Sequence, residues 1–383
     1  MQPRLLTRAA VSALPLSHRH SCHRLRRLRR VSTYAPAVDE STQCESGYFY
    51  CLTAFSGRVL FEELSLHGSG LVKVIRYGPW AALRCGSTEQ GVAYVGGEDA
   101  DDTLCVQPRV LCYDYLRTMV AAHLAVSALN GGGTISCRPV ELLCVGLGSC
   151  ALPSFLALQL TDAHVSVVEI DPLIARAVTE RMGVDLSPLQ ITVADAAEHV
   201  SQLAEQVRSG QAEGCSTLFL DAYDPVRGII PFHLRGGVFL ADCKTSLSVR
   251  GCIVVNCFTG SPNSAPRRDV ESFVKQLITH FGVGAVFSVK GGTNVVLVAL
   301  KADGLLVHMA KDDALVSHAM AQAATAAAAA MGNWPSWDPG AMLSGRVHVC
   351  RVDAATGQVD AVAGGFEEDN KGEDDGYGSL SDD

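Results

Sequence analysis

From Val140 to Leu300 apolar strands alternate with helical segments, a pattern few folds can accommodate. The strands read VELLCV, VSVVE, QITVA, STLFLD, CIVVNCF, AVFSV and NVVLVAL, with helices opening near Ser149, Pro172, Ala196, Pro231 and Asp269. Runs of Val, Ile and Leu suit strands covered on both faces, and intervening helices supply the crossovers that parallel pairing requires. Pro172 and Pro231 fit the first turn of a helix, where the missing amide proton costs nothing. Only KGGT separates the last two strands, too short for a crossover, so they pair antiparallel. The expectation is an α/β fold, a doubly wound, Rossmann-like sheet of seven strands, five of them parallel and the last two a hairpin.

Upstream, YFYCLTAF, GRVLFEEL, GLVKVIRY and GVAYVGG read as short strands between glycine-rich turns, predicting a small antiparallel β domain over 44–110. A helix over 111–129, stopped by Gly131–Gly133, opens the larger domain over 111–310. The Ala-rich stretch LVSHAMAQAATAAAAAMG is a helix by propensity, stopped by Gly332, within an extension over 311–363.

Charge is unevenly placed. Residues 1–38 carry eight Arg and no acid, which resembles an organelle transit peptide and predicts a mitochondrion or a chloroplast, with the cytoplasm as the alternative. Residues 364–383 carry eight acids against Lys371 and too little apolar surface to fold. The body between is acidic, which disfavours nucleic acid as a partner, because phosphate binding needs a basic face. No uninterrupted apolar run reaches membrane-spanning length, so no membrane partner is expected. The fourteen cysteines are scattered singly without a C-x-x-C pair, and Cys144, Cys252 and Cys257 sit in apolar runs. Reduced buried thiols and no zinc site are expected.

In open α/β sheets ligands bind at the carboxyl ends of the strands. The first strand ends in GLGSCA, where Gly146 and Gly148 let backbone amides face a ligand, unless they only let strand and helix pack, and Ser149 leads toward a helix N-terminus. Gly146, Gly148 and Ala151 also satisfy G-x-G-x-x-A, so a dinucleotide and a nucleoside donor both remain open on this stretch. The second strand ends at Glu169, 23 residues after Gly146, placed to accept both hydroxyls of an adenosine ribose, while of the two acids here Asp171, standing before Pro172, reads as the cap of the next helix. The third ends at Asp195, which either accepts the adenine amino group or caps the next helix. The fourth ends in LDAYDP, placing Asp221 and Asp224 beside the reacting end, unless Asp224-Pro225 is only a turn. Asn256, closing the fifth strand, either lines the pocket or satisfies loop backbone.

Taken in order, LLCVGLGSCALPSFLA, VVEIDP, VADA and LFLDAYDPVRGIIPFHLRGGVFLADCKTSLSVRGCIVVNCF resemble the spermidine synthase-like branch of class I S-adenosylmethionine-dependent transferases. The resemblance covers about 140–300 and extends loosely to a β domain over 46–110. It implies a methyltransferase-type sheet, a nucleoside held by Gly146, Gly148, Ser149, Glu169 and Asp195, and a reacting end built from Asp221, Tyr223 and Asp224. Polyamine synthases of that family carry an Asp in the glycine run for the amine of decarboxylated S-adenosylmethionine; Ser149 stands there. An Asp at 149 would repel the carboxylate of ordinary S-adenosylmethionine, so serine favours the ordinary methyl donor over the decarboxylated one. The family's D-S-S-D-P is matched by Asp221, Asp224 and Pro225, with Ala222 and Tyr223 replacing the serines. Its Tyr-Glu pair ahead of the glycine loop has no recognisable counterpart around Tyr113 and Tyr115.

The leading expectation is methyl transfer to an amine-bearing small molecule or protein, with Asp221 or Asp224 taking the proton and Tyr223 forming a cation-π wall. Aminopropyl transfer, a noncatalytic nucleoside-binding module and a dehydrogenase are the competing readings; the terminal hairpin and Asp195 disfavour the last. The resemblance further implies a homodimer through the β domain.

Overall fold

The computed structural model describes residues 43–96, 104–130, 140–260, 264–292, 294–301 and 304–359. The predicted leader over 1–38, the helix stop at Gly131–Gly133 and the acidic tail over 364–383 lie outside those residues.

A helix, α1 (Glu45–Ala54), precedes a four-stranded meander of β1 (Arg58–Leu64), β2 (Leu71–Tyr77), β3 (Trp80–Cys85) and β4 (Thr88–Tyr94), each strand antiparallel to the next. The segment YFYCLTAF is therefore helical, where a strand was expected. Tyr48 and Cys51, three residues apart, are buried on one face, and the Tyr48 ring meets Trp80 edge-on at 5.9 Å, while Tyr50 is 70% exposed. Packing at helical spacing overrides the β preference of the aromatics. Strand β3 escaped the sequence reading because five of its six residues are buried, leaving no alternation of period two.

The larger part continues through α2 (Asp114–Asn130), β5 (Val140–Val145), α3 (Ala151–Gln159), β6 (Ala163–Glu169), α4 (Pro172–Arg181), β7 (Leu189–Val193), α5 (Ala196–Arg208), β8 (Cys215–Leu220), α6 (Gly237–Ser246) and β9 (Leu247–Phe258). It ends in α7 (Ala265–Phe281), β10 (Val286–Gly291), β11 (Asn294–Leu300), α8 (Leu305–Met309), α9 (Asp313–Ala330) and β12 (Val347–Val349). The sheet order is β12-β10-β11-β9-β8-β5-β6-β7. Strands β5 to β9 pair in parallel, and β11 lies antiparallel between β9 and β10, as the short KGGT connection required. The sheet has eight strands instead of seven: β12 adds three residues antiparallel to β10, too few to leave a periodic signature.

Helix starts follow local chemistry. Asp171 caps α4 by accepting a hydrogen bond from Leu173 N, with Pro172 in the first turn. Pro231 opens only a single 3₁₀ turn at Phe232–Leu234, and α6 begins at Gly237. Helix α7 opens at Ala265, four residues before the expected Asp269, because Ser264 caps it and Pro266 occupies its first turn.

The chain leaves β5 to build β6 and β7 on one side, then returns to build β8 and β9 on the other. The connections diverge at the carboxyl ends of β5 and β8, which opens a crevice there. The small sheet is tied to this end of the large one: Ser149 Oγ donates to Val92 O at 3.1 Å, Thr88 Oγ1 to Pro225 O, and Arg176 pairs with Glu63. Among the described residues no helix is long and apolar enough to cross a membrane, and the cysteines are free.

Candidate active site

A cavity of about 1070 Å³ opens at this crevice, walled by both sheets. It is ample for a nucleoside and a second small group together. Among the described residues no group of three or more His, Cys, Asp or Glu side chains could hold a metal ion.

The glycine loop forms its floor. Gly146 has φ +95°, and a Cβ there would stand 2.3 Å from Asp221 O; Gly148 has φ +50°, and a Cβ there would stand 2.5 Å from Gln90 O. Both positions therefore need glycine for close backbone passage as well as for the turn. Cys150, where a third glycine would often stand, is left-handed at φ 64° and fully buried. Its backbone adopts the glycine conformation although its side chain is a packed thiol.

Glu169 lies on the cavity wall at the end of β6, and Leu147 N donates to its Oε2 at 2.9 Å while Asp171 N donates to Oε1 at 3.0 Å. Burial pushes its carboxyl pKa up, and these backbone donors oppose the shift. Each oxygen keeps a lone pair for a hydroxyl donor. Asp195 serves as the cap of α5, with Oδ1 accepting from Ala197 N at 2.7 Å, and Oδ2 lies 3.3 Å from His233 Nε2. It also lines the cavity, so the cap and the ligand-facing position coincide in one residue.

Ser149 does not face the cavity. Its hydroxyl is spent on Val92 O in the seam with β4, because Gly91 admits it there: a Cβ on Gly91 would sit 2.8 Å from Ser149 Oγ. Gln90 on β4 does line the cavity, and its side-chain Nε2 is buried with no hydrogen-bond partner among the described residues.

The reacting end is built around Asp221, which follows β8 directly. Asn256 Nδ2 donates to Asp221 Oδ1 at 2.9 Å, and Asn294 Nδ2 donates to Asn256 Oδ1 at 2.7 Å, so two strand ends orient one carboxylate. Burial pushes the Asp221 pKa up to about 6, with the Asn256 hydrogen bond opposing. Asn256 thus lines the pocket as a side chain. Tyr223 contributes its ring, since its hydroxyl donates to Asn256 O and accepts from Phe258 N, leaving no free hydroxyl for chemistry. Asp224 lines the cavity but turns Oδ1 onto Val226 N and Arg227 N, so the turn reading holds for that oxygen.

A second acidic group escaped the sequence reading. Glu89 on β4 accepts hydrogen bonds from the hydroxyls of Tyr48 and Tyr113. Burial raises the pKa of all three groups, and the tyrosines stay neutral donors. A Tyr-Glu pair therefore exists at Tyr113, where none was recognisable, with its Glu supplied from 24 residues upstream. Tyr115 stacks on Tyr113 with centroids 5.6 Å apart, and burial, reinforced by the nearby acids Asp221 and Glu89, pushes its pKa up and keeps its hydroxyl protonated. Glu45, at the start of α1, also lines this end. The one available signal was a charged residue in TEQG beside the buried run GVAYV.

The chain matches no protein-family model. It is 27% identical over 152 residues to the human eEF1A lysine and N-terminal methyltransferase, covering 38% of this chain and 21% of that protein. It is 29% identical over 126 residues to the polyamine aminopropyltransferase of Vibrio vulnificus, covering 32% of this chain and 40% of that protein. The chain thus spans well under half the length of these curated relatives. Among solved structures, a probable spermidine synthase from Corynebacterium glutamicum superposes with a TM-score of 0.50 at 15% identity, covering 71% of this chain and 87% of that one, a likeness of fold. In sequence and in fold the chain resembles the spermidine synthase-like branch of class I S-adenosylmethionine-dependent transferases.

Proposed function

We propose that this chain is an S-adenosylmethionine-dependent methyltransferase acting on an amine nitrogen of a small molecule or protein. The observation that carries the reading is Asp221, a carboxylate held at the switch point of the sheet by Asn256, with a pKa pushed up to about 6, in the same cavity as Glu169 and the glycine loop. The residues fit the donor. Glu169 has lone pairs available for ribose hydroxyls, Gly146 and Gly148 leave the floor bare, and Gln90 presents a buried, unpartnered amide donor suited to a carboxylate. S-adenosylmethionine, when bound, supplies an activated methyl group on a sulfonium, so the protein's task is positioning and desolvation.

Asp221 is mostly ionised at neutral pH yet close enough to its pKa to accept a proton from an ammonium acceptor. Its Oδ2 takes no hydrogen bond from the described residues and is the oxygen available for that proton. The ring faces of Tyr115 and Tyr223 and the carboxylates Glu45 and Glu89 make the acceptor end favourable to a cation. Sequence similarity to a lysine and N-terminal methyltransferase supports the methyl reading, and similarity to an aminopropyltransferase supports the alternative, in which the decarboxylated donor is used. The unpartnered Gln90 amide favours the former.

Calorimetric titration with S-adenosylhomocysteine, decarboxylated S-adenosylmethionine and NADH tests the proposal. Binding of S-adenosylhomocysteine that is lost in Glu169→Ala is the expected result. Preference for the decarboxylated donor transfers the case to aminopropyl transfer, and binding of NADH alone refutes both.

A further inference from the structure

Ser65 is a buried residue in an otherwise exposed turn: it is 9% exposed, whereas its neighbour Leu66 is 94% exposed. The turn joins β1 to β2 and is closed by a hydrogen bond from Ser65 N to Gly70 O at 2.8 Å. Its residues His67, Gly68 and Ser69 line the cavity, as do Glu169 and Ile170. The buried hydroxyl makes two contacts: it donates to Asp171 Oδ2 at 2.5 Å and accepts from His67 N at 2.9 Å. Asp171 has no solvent exposure; its Oδ1 caps α4, and its backbone N–H donates to Glu169 Oε1 at 3.0 Å.

One hydroxyl therefore holds two walls of the same end of the cavity. On one side it fixes the carboxylate of Asp171, and through it the backbone that orients Glu169. On the other it fixes the turn that carries His67–Ser69 into the cavity lining. A buried charge with two donors sits in a single geometry; with one donor removed, the carboxylate must find another partner, and the backbone beside it shifts.

We propose that Ser65 is a positioning residue for nucleoside binding, acting through Asp171 on Glu169, and that the β1–β2 turn forms the second wall of the ribose pocket. The inference rests on the reading of Glu169 as the ribose ligand, and it adds the β1–β2 turn to the donor site.

The test compares affinities of the full chain for S-adenosylhomocysteine and its 2′-deoxy counterpart, in wild type, Ser65→Ala and Ser65→Thr, with thermal unfolding of each. Wild type should bind the ribose form more tightly than the deoxy form. In Ser65→Ala the affinity for S-adenosylhomocysteine should fall about tenfold, because Glu169 is no longer held in the binding geometry before the ligand arrives. The ratio between ribose and deoxy ligands should shrink at least threefold in that variant, and Ser65→Thr, which keeps the hydroxyl, should restore both values. A merely structural role lowers the melting temperature while leaving that ratio at its wild-type value, and this outcome overturns the assignment. A wild type that binds neither ligand refutes the functional reading, and the assignment falls with it.

Discussion

Replacing Asp221 by Asn separates the fold's interest from the site's. Burial raises this carboxyl from 3.8 to about 6, so the folded protein holds the proton more tightly than the unfolded chain does. The sign follows directly: the stabilisation is fully present below 3.8 and is lost as pH rises through 6. A shift of about two units corresponds to roughly 3 kcal/mol of unfolding free energy, which the ionised carboxylate costs the native state at neutral pH. An amide of the same shape avoids that cost, and its own oxygen can still accept from Asn256 Nδ2. Asp221→Asn should therefore be more stable than wild type by up to about 3 kcal/mol at pH 8, the gain shrinking toward zero near pH 4. Urea denaturation of both proteins between pH 4 and pH 8 measures this, because the difference cancels every group the two share. On the proposed function, methyl transfer should fall at least about 100-fold in the same variant, with S-adenosylhomocysteine affinity retained. A stability difference that is flat across the range would show that Asp221 is not ionising against burial, and the proton-accepting role would fall with it.

Two further outcomes follow from the cavity walls. Gly146→Ala places a Cβ 2.3 Å from Asp221 O at φ +95°, so it should cost about 2 kcal/mol or more, read as a lowered denaturation midpoint; an unchanged midpoint would mean the loop is not the close passage described. Tyr113→Phe removes one of the two hydroxyl donors that hold down the Glu89 pKa, so it should destabilise by about 1–3 kcal/mol. That deficit should be larger at pH 8 than at pH 5, because the less well solvated carboxylate must still ionise; equal deficits at both values would refute the pairing.

Much of this protein was legible locally. The order of strands and helices from Val140 to Leu300 follows from apolar runs bounded by caps and prolines, and the antiparallel end follows from a connection too short to cross over. Asp171 declared itself as a cap by standing before Pro172, and Glu169 and Asp221 declared themselves by closing apolar strands. These are short-range statements, carried by periodicity and by backbone groups within a few residues.

Other features depended on partners distant in sequence. Tyr48 and Cys51 form a helix face only because Trp80 lies opposite, and β12 exists only because β10 offers an edge. Ser149 occupies the expected position but turns toward Val92, since Gly91 makes room for it there. Glu89 meets Tyr113 from 24 residues away, and Ser65 meets Asp171 from 106 residues away. A hydrogen bond between segments so far apart leaves no period and no composition in either of them, so the sequence determined which strand ends carry the chemistry, and only packing the small sheet onto those ends decided which side chains face it.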